Sequence, residues 1–310
     1  MVTPDGVPGT FTVESAEILP RGQFSVSAGV DKFARTPGSL NILNAGLSAG
    51  VGVTKHMMLY GSFDPYVHLH VGKPQQLSLY EQTEFPGKYP LYNYFGPDYV
   101  VLPPWNNAVF VEDFPFAAFN ANDISPVTLG IKYNIRSESN GAHWAVSVRN
   151  DFIIPTRSAA TEFQKFGAQN GAFDDNVAVA FSKTFHDVYL SGDVQYEVFR
   201  NPVINGAVAI RVPDYMRFAG GATFLPKRRI QPIIEVTDLF YQEGRAWAEL
   251  GTATNDTSYG TTCPLDGVWG VRVYASRSLG FDFAYRYALN LRAAQDRNGF
   301  VFKMGKTFSL

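Results

Sequence analysis

The chain has 310 residues, 45% hydrophobic and 15% aromatic, with 28 glycines and a formal charge of −2. A mean hydropathy of −0.09 and the lack of a long apolar run exclude a disordered chain and ordinary transmembrane helices. The charge gives no electrostatic reason to expect a nucleic-acid partner, and a single cysteine, Cys263, cannot form an intramolecular disulfide.

Residues 1–22 carry Pro4, Pro8, Pro20 and several glycines, and are expected to be irregular. Met1 is followed by Val2-Thr3-Pro4-Asp5-Gly6, with neither a basic start nor an apolar core. An exported chain needs a leader, so the sequence is expected to be a processed or shortened form. The run T-F-T-V-E-S-A-E-I-L-P-R-G at 10–22 resembles the opening of some bacterial outer-membrane barrels, where a segment ending Leu-Pro-x-Gly leads into the first strand. The resemblance implies a periplasmic N-terminal segment over 1–22 and a barrel over 23–310.

From residue 23 the pattern has a period of two. Phe24, Val26, Ala28 and Val30 alternate with Gln23, Ser25, Ser27 and Gly29. A second strand follows over 43–53, with Gly46, Gly50 and Gly52 on its small face; these glycines read as close packing or strong bending rather than a phosphate loop. A tight turn at Thr54-Lys55-His56 leads into a third strand over 57–64. Residues 65–125 then lose the alternation and become rich in proline and aromatics, among them Tyr80, Tyr94, Trp105 and Phe114. Disordered segments are poor in aromatics, so order is expected here. Such a loop can constrict the lumen, cap the barrel, or present an aromatic face to an external partner.

Alternation resumes at 127–135, 144–148, 177–181, 188–198, 216–225, 230–239, 265–274, 279–289 and 300–310. Pro232 weakens the 230–239 assignment, because proline removes a ladder hydrogen bond. The total is about twelve strands. Connections after even strands are short, and those after odd strands are mostly longer. Outer-membrane barrels sort their loops this way, whereas a soluble sandwich has no reason to. The expected fold is all-β: a closed antiparallel transmembrane barrel with both termini and the short turns on the periplasmic side. Lipid cannot satisfy a free strand edge, so the sheet must close.

The last strand reads F-V-F-K-M-G-K-T-F-S-L, with Phe300, Phe302, Met304, Phe308 and Leu310 on one parity. It resembles the C-terminal insertion signal of outer-membrane barrels, with Lys303, Gly305, Phe308 and Leu310 at the matching positions. Leu310 departs from the aromatic residue that more often ends the signal. The resemblance implies that the barrel-assembly machinery reads this strand. An amphipathic edge strand of a soluble protein gives the same alternation.

On this phase Lys132, Arg149, Asp193, Glu197, Arg217, Glu235, Arg272, Asp282, Arg286 and Lys303 point inward. A Lys or Arg on the lipid face near the midplane would cost about 2–4 kcal/mol. Two arrangements satisfy these charges: a hydrated pore, or pairs across strands that fill a narrow barrel. The expectation is an open or loop-gated, porin-like channel for small hydrophilic solutes; the alternative is a closed barrel whose external loops bind a partner or surface. No cofactor, metal or catalytic group is expected. His68 and His70 share a face, but no third ligand stands at a matching spacing. Outer-membrane phospholipases carry a His-x-Ser pair, which this sequence lacks, and Asp174-Asp175 reads as a solvated turn rather than a protease site.

Overall fold

The computed structural model describes residues 2–35, 39–72, 119–158, 171–200, 214–241, 264–290 and 297–309, with short pieces at 79–80, 91–92, 203–204 and 207–208. Twelve strands form one ring. They are β1 (Gln23–Arg35), β2 (Leu40–Gly52), β3 (Met57–Val71), β4 (Val127–Arg136), β5 (Ala145–Ile154) and β6 (Asp174–Phe185), then β7 (Val188–Val198), β8 (Tyr215–Phe224), β9 (Ile230–Tyr241), β10 (Leu265–Tyr274), β11 (Leu279–Ala288) and β12 (Asn298–Ser309). Each pairs antiparallel with its sequence neighbours, and β12 returns to β1 from Gln23↔Ser309 to Lys32↔Phe300. The ring is therefore the closed barrel that the alternation predicts.

The pleat sends alternate residues to opposite faces. Leu129, Ile131, Phe181, Ile234, Phe283 and Phe302 point out and are exposed. Lys132, Asn134, Ser147, Ser182, Asp193 and Asp282 point in and are buried. So continuous an apolar outer face would be a liability in water and is matched by lipid.

The connections at 53–56, 137–144, 186–187, 225–229 and 275–278 gather at one end. The strand ends joined by residues 72–126, 155–173, 199–214, 242–264 and 289–297 are at the other, as are those joined by the short stretch 36–39, the one departure from the sorting by length. Pro232 is tolerated inside β9 because it lies beyond the last β8 pair, Thr223↔Ile233, where one side of the strand has no ladder to lose. Most of the aromatic stretch at 65–125 lies outside the described residues.

A β-bulge re-aims the upper part of β3. Ala45 pairs with Tyr66 and Leu47 with Phe63, so Asp64 and Pro65 face the single residue Gly46. Below the bulge Met58 and Tyr60 are buried toward the lumen; above it Val67 and Leu69 are. A further strand, Phe119–Asp123, runs along this upper part of β3, and Ser125 ties it down through Asp64 N–H to Ser125 Oγ at 2.7 Å and Ser125 N–H to Asp64 O at 2.9 Å.

Candidate functional site

The lumen is occupied by the chain's own N-terminal segment. Val2, Val7, Phe11 and Val13 have no exposed surface, and Glu14 has none either. The segment expected to lie outside the barrel, on the periplasmic side, is thus packed within it. Its two isolated bridges, Val2↔Pro8 and Gly9↔Glu14, fold it into tight reversals without a ladder of its own. Some of its backbone groups bond within the segment, such as Thr3 N–H to Val7 O and Thr10 N–H to Val13 O; the rest are left for the wall, since buried polar groups without partners are costly.

The wall meets them with the charges expected to point inward. Glu235 accepts from Phe11 N–H at 2.6 Å and from Thr12 N–H and hydroxyl at 3.0 and 2.8 Å. Arg272 binds Asp282 in a fork, at 2.7 and 3.0 Å, and donates to the Gly9 and Thr10 carbonyls at 3.0 Å each. Lys303 lies 3.2 Å from Asp282 and donates to Thr10 O at 3.1 Å. Arg217 pairs with Asp193 at 2.7 Å and donates to Thr12 O at 2.8 Å, while Asp193 accepts from Glu14 N–H at 2.9 Å.

Glu14 is the centre of the largest cluster. Its carboxylate lies 2.7 Å from Arg149 and 3.3 Å from Lys132, and it accepts from Gln195 at 3.2 Å. Lys132 also donates to Ser15 O at 2.5 Å, and Arg149 reaches Asp151 at 2.9 Å. Asp151 in turn accepts from the Tyr60 hydroxyl. Each buried cation thus faces a carboxylate, the condition under which buried charge is tolerable. Two inward charges bind the wall alone: Glu197 accepts from Tyr215 at 2.5 Å, and Arg286 bridges Asp31 and Asp266 at 2.7 and 2.6 Å. Gly305 faces inward and Phe308 outward on β12; Leu310 lies outside the described residues.

Apolar contacts complete the fit. Phe11 packs on Ile233, Val268, Ala284 and Val301, which face inward from β9, β10, β11 and β12. Val7 and Leu19 pack with Met58 and Tyr60, and Ala16 with Ala145 and Ala180. The inward glycines of β2 serve close approach: a Cβ on Gly50 would lie 2.6 Å from Gly6 O, and one on Gly52 would collide with the Leu19 and Pro20 carbonyls.

The segment does not fill the lumen evenly. A cavity of about 70 Å³ remains against β1 and β2; Val30, Val301 and Phe302 contribute apolar lining, and Asp31, Asn44, Asp64 and Lys303 place polar groups at it. Among the described residues Asp31 Oδ1 and Asn44 Oδ1 have no hydrogen-bond partner. Among the described residues no group of three or more metal-ligating side chains occurs. His68 and His70 point out of the barrel, each with its Nδ1 on the amide oxygen of Asn122 or Asn120, at 2.8 and 2.9 Å.

A scan of protein families and a search of curated proteins find no match. Among solved structures, an outer-membrane channel from Pseudomonas putida F1 superposes with a TM-score of 0.54 at 9% identity, over 97% of this chain and 99% of that one. The fold is that of an outer-membrane β-barrel. The KdgM porin, at TM-score 0.42 and 6% identity over 92% of this chain and 99% of that one, overlaps too loosely to bear on this chain.

The sequence reading missed Glu14, Asp151, Asp266 and the whole role of residues 2–21. One signal was present: the inward face of β9–β12 carries Ile233, Val268, Ala284 and Val301, side chains that a wholly hydrated pore does not need.

Proposed function

We propose that the barrel is a passive channel for small hydrophilic solutes, with the N-terminal segment as its gate. The observation that carries the reading is the cavity left between that segment and β1–β2, into which Asp31, Asn44 and Asp64 face, together with the exchangeable contacts that hold the segment. Every polar group that binds it can bind water instead once the segment moves. The densely packed lumen favours a second reading, a permanently closed barrel that acts through its external loops. In either case the reading places the apolar face in outer-membrane lipid, gives the final strand to the assembly machinery, offers the aromatic segment to an external partner, and assigns no catalytic step.

A reversible lock separates the two. A Cβ on Gly221 would lie 3.5 Å from Thr10 Oγ1, so cysteines at both positions can be bridged. In a Cys263→Ser background, Thr10→Cys/Gly221→Cys should give ohmic steps in planar bilayers when reduced and fewer or none when oxidised. Equal steps in both states would remove the gate; silence in both, and in the unmodified chain, would leave the closed barrel.

A further inference from the structure

The short-turn end of the barrel carries a rim of unpaired cations that the channel reading does not use. Lys55, Lys227, Arg228, Arg229 and Arg277 are exposed in the turns, and Arg21 is exposed where the N-terminal segment leaves the lumen. None of the six makes an ion pair among the described residues. Of the acids at this end, Glu17 and Glu138 are turned to hydrogen bonds of their own, on Ser137 and the Glu138 N–H at 2.5 and 2.8 Å and on Thr184 N–H at 3.0 Å. With exposed Asp187 these are the acids that face the six cations, so the rim is net positive although the whole chain has a formal charge of −2.

Three further cations sit on aromatic rings just inside this rim. Arg136 lies 5.2 Å from the Trp144 ring centre, Lys183 5.1 Å from Phe185, and Lys306 4.9 Å from Phe308. All three rings are on exposed, outward-facing residues beside the short turns. Aromatic rings at this level mark the boundary between hydrocarbon and headgroups, and a Lys or Arg stem laid over such a ring carries its charge toward the headgroups. The two sets of cations are thus stacked at one height, where lipid phosphates lie. Unpaired cations there gain most from an anionic partner.

We propose that this rim binds the phosphate groups of anionic phospholipids in the leaflet at the short-turn end. The rim is built for a ring of headgroups around the barrel rather than for one ligand, because its cations are spread over several turns.

The full-length protein in detergent would be offered equimolar phosphatidylglycerol and phosphatidylcholine, and the lipid retained read by native mass spectrometry. Phosphatidylglycerol should be retained in preference. Neutralising one rim cation should lower the preference about fivefold. In Arg228→Gln/Arg229→Gln/Lys306→Gln it should vanish, and in the matching Arg→Lys variants at 228 and 229 it should persist. Heat-modifiable migration on gels would confirm that the variants are folded barrels. Equal retention of both lipids by the wild type, or an undiminished preference in the triple variant, would overturn the proposal. So would complete displacement of the lipid by millimolar inorganic phosphate, which would show a site for the free anion instead.

Discussion

The two flanks of the lumen hold the same segment by different physics. Along β4–β12 the wall grips residues 9–17 with charges: Lys132, Arg149, Asp193, Arg217, Glu235, Arg272 and Lys303 each reach the segment's backbone or Glu14. Along β1–β3 the segment meets the small residues of β2 by close approach and packs on Met58 and Tyr60 of β3, with a hydroxyl bond from Ser48 to Thr3 O at 3.3 Å. One flank binds by electrostatics in a dry interior, where removing a partner is costly. The other binds by shape, and there a cavity remains. The difference teaches where a solute path can exist without unfolding the barrel: beside the small-residue flank, past Asp31 and Asp64.

The sharpest way to break this contrast is at Glu14. Glu14→Ala leaves Lys132 with a carbonyl and Arg149 with Asp151 and the more distant Asp5, 3.9 Å away. Stranding buried charge costs about 3–5 kcal/mol. The wall can escape that cost by letting the segment leave, since water then solvates both cations. The expected outcome is a lower urea midpoint for release of the segment, read by protease cleavage within residues 2–21, together with larger conductance steps from a barrel that still shows heat-modifiable migration. Unchanged cleavage and conductance would show that the charges do not hold the segment.

On the other flank the effect should be smaller and of another kind. Gly52→Val places a side chain against the Leu19 and Pro20 carbonyls, where the segment turns into β1 through Gly22, whose φ is +76°. Overpacking of this sort costs about 1–3 kcal/mol. Thermal unfolding should report that loss without the appearance of unpaired charge, so its salt dependence should match the wild type. A midpoint as low as that of Glu14→Ala would mean that shape, not charge, dominates on both flanks.

The barrel was legible because its information is local and periodic. Alternation in strands such as Phe281-Asp282-Phe283-Ala284-Tyr285-Arg286 states both that a strand exists and which face meets lipid. Arg272 and Asp282, both expected to point inward, are paired in register across the short turn between β10 and β11. The register between β7 and β8 was out of reach of the sequence, because a long connection joins them; Arg217 pairs with Asp193, and Glu197 accepts from Tyr215. The N-terminal segment left no periodic trace. Its hydrogen bonds to the wall join an irregular run to residues from 45 to 293 positions away, and its prolines and glycines read as a loop whether it lies inside a barrel or outside. The bulge at Asp64-Pro65 was equally hidden, since one extra residue reverses the faces of β3 without altering its composition.

The smallest effect on stability should come from Asp64, and it bears most directly on the path. Asp64 lines the cavity with Asp31 and Asn44, and among the described residues it forms no ion pair. Asp64→Asn keeps the side-chain shape and removes a carboxylate that no cation balances. Nothing is stranded by the change, so the unfolding midpoint should move little, within about 0.5 kcal/mol in either direction. The field in the cavity should change nonetheless, because a charge lining a narrow low-dielectric passage acts on every ion that passes. With Asp31 and Asp64 both present the path should favour cations; with Asn at 64 the reversal potential in a salt gradient should move toward that of an anion-permeable pore. Arg286 holds one oxygen of Asp31 at 2.7 Å, so Asp31 is partly neutralised and Asp64 should be the stronger determinant of the two. A reversal potential unmoved by Asp64→Asn in a conducting barrel would place the path elsewhere in the lumen, and the charged flank would then be the one that opens.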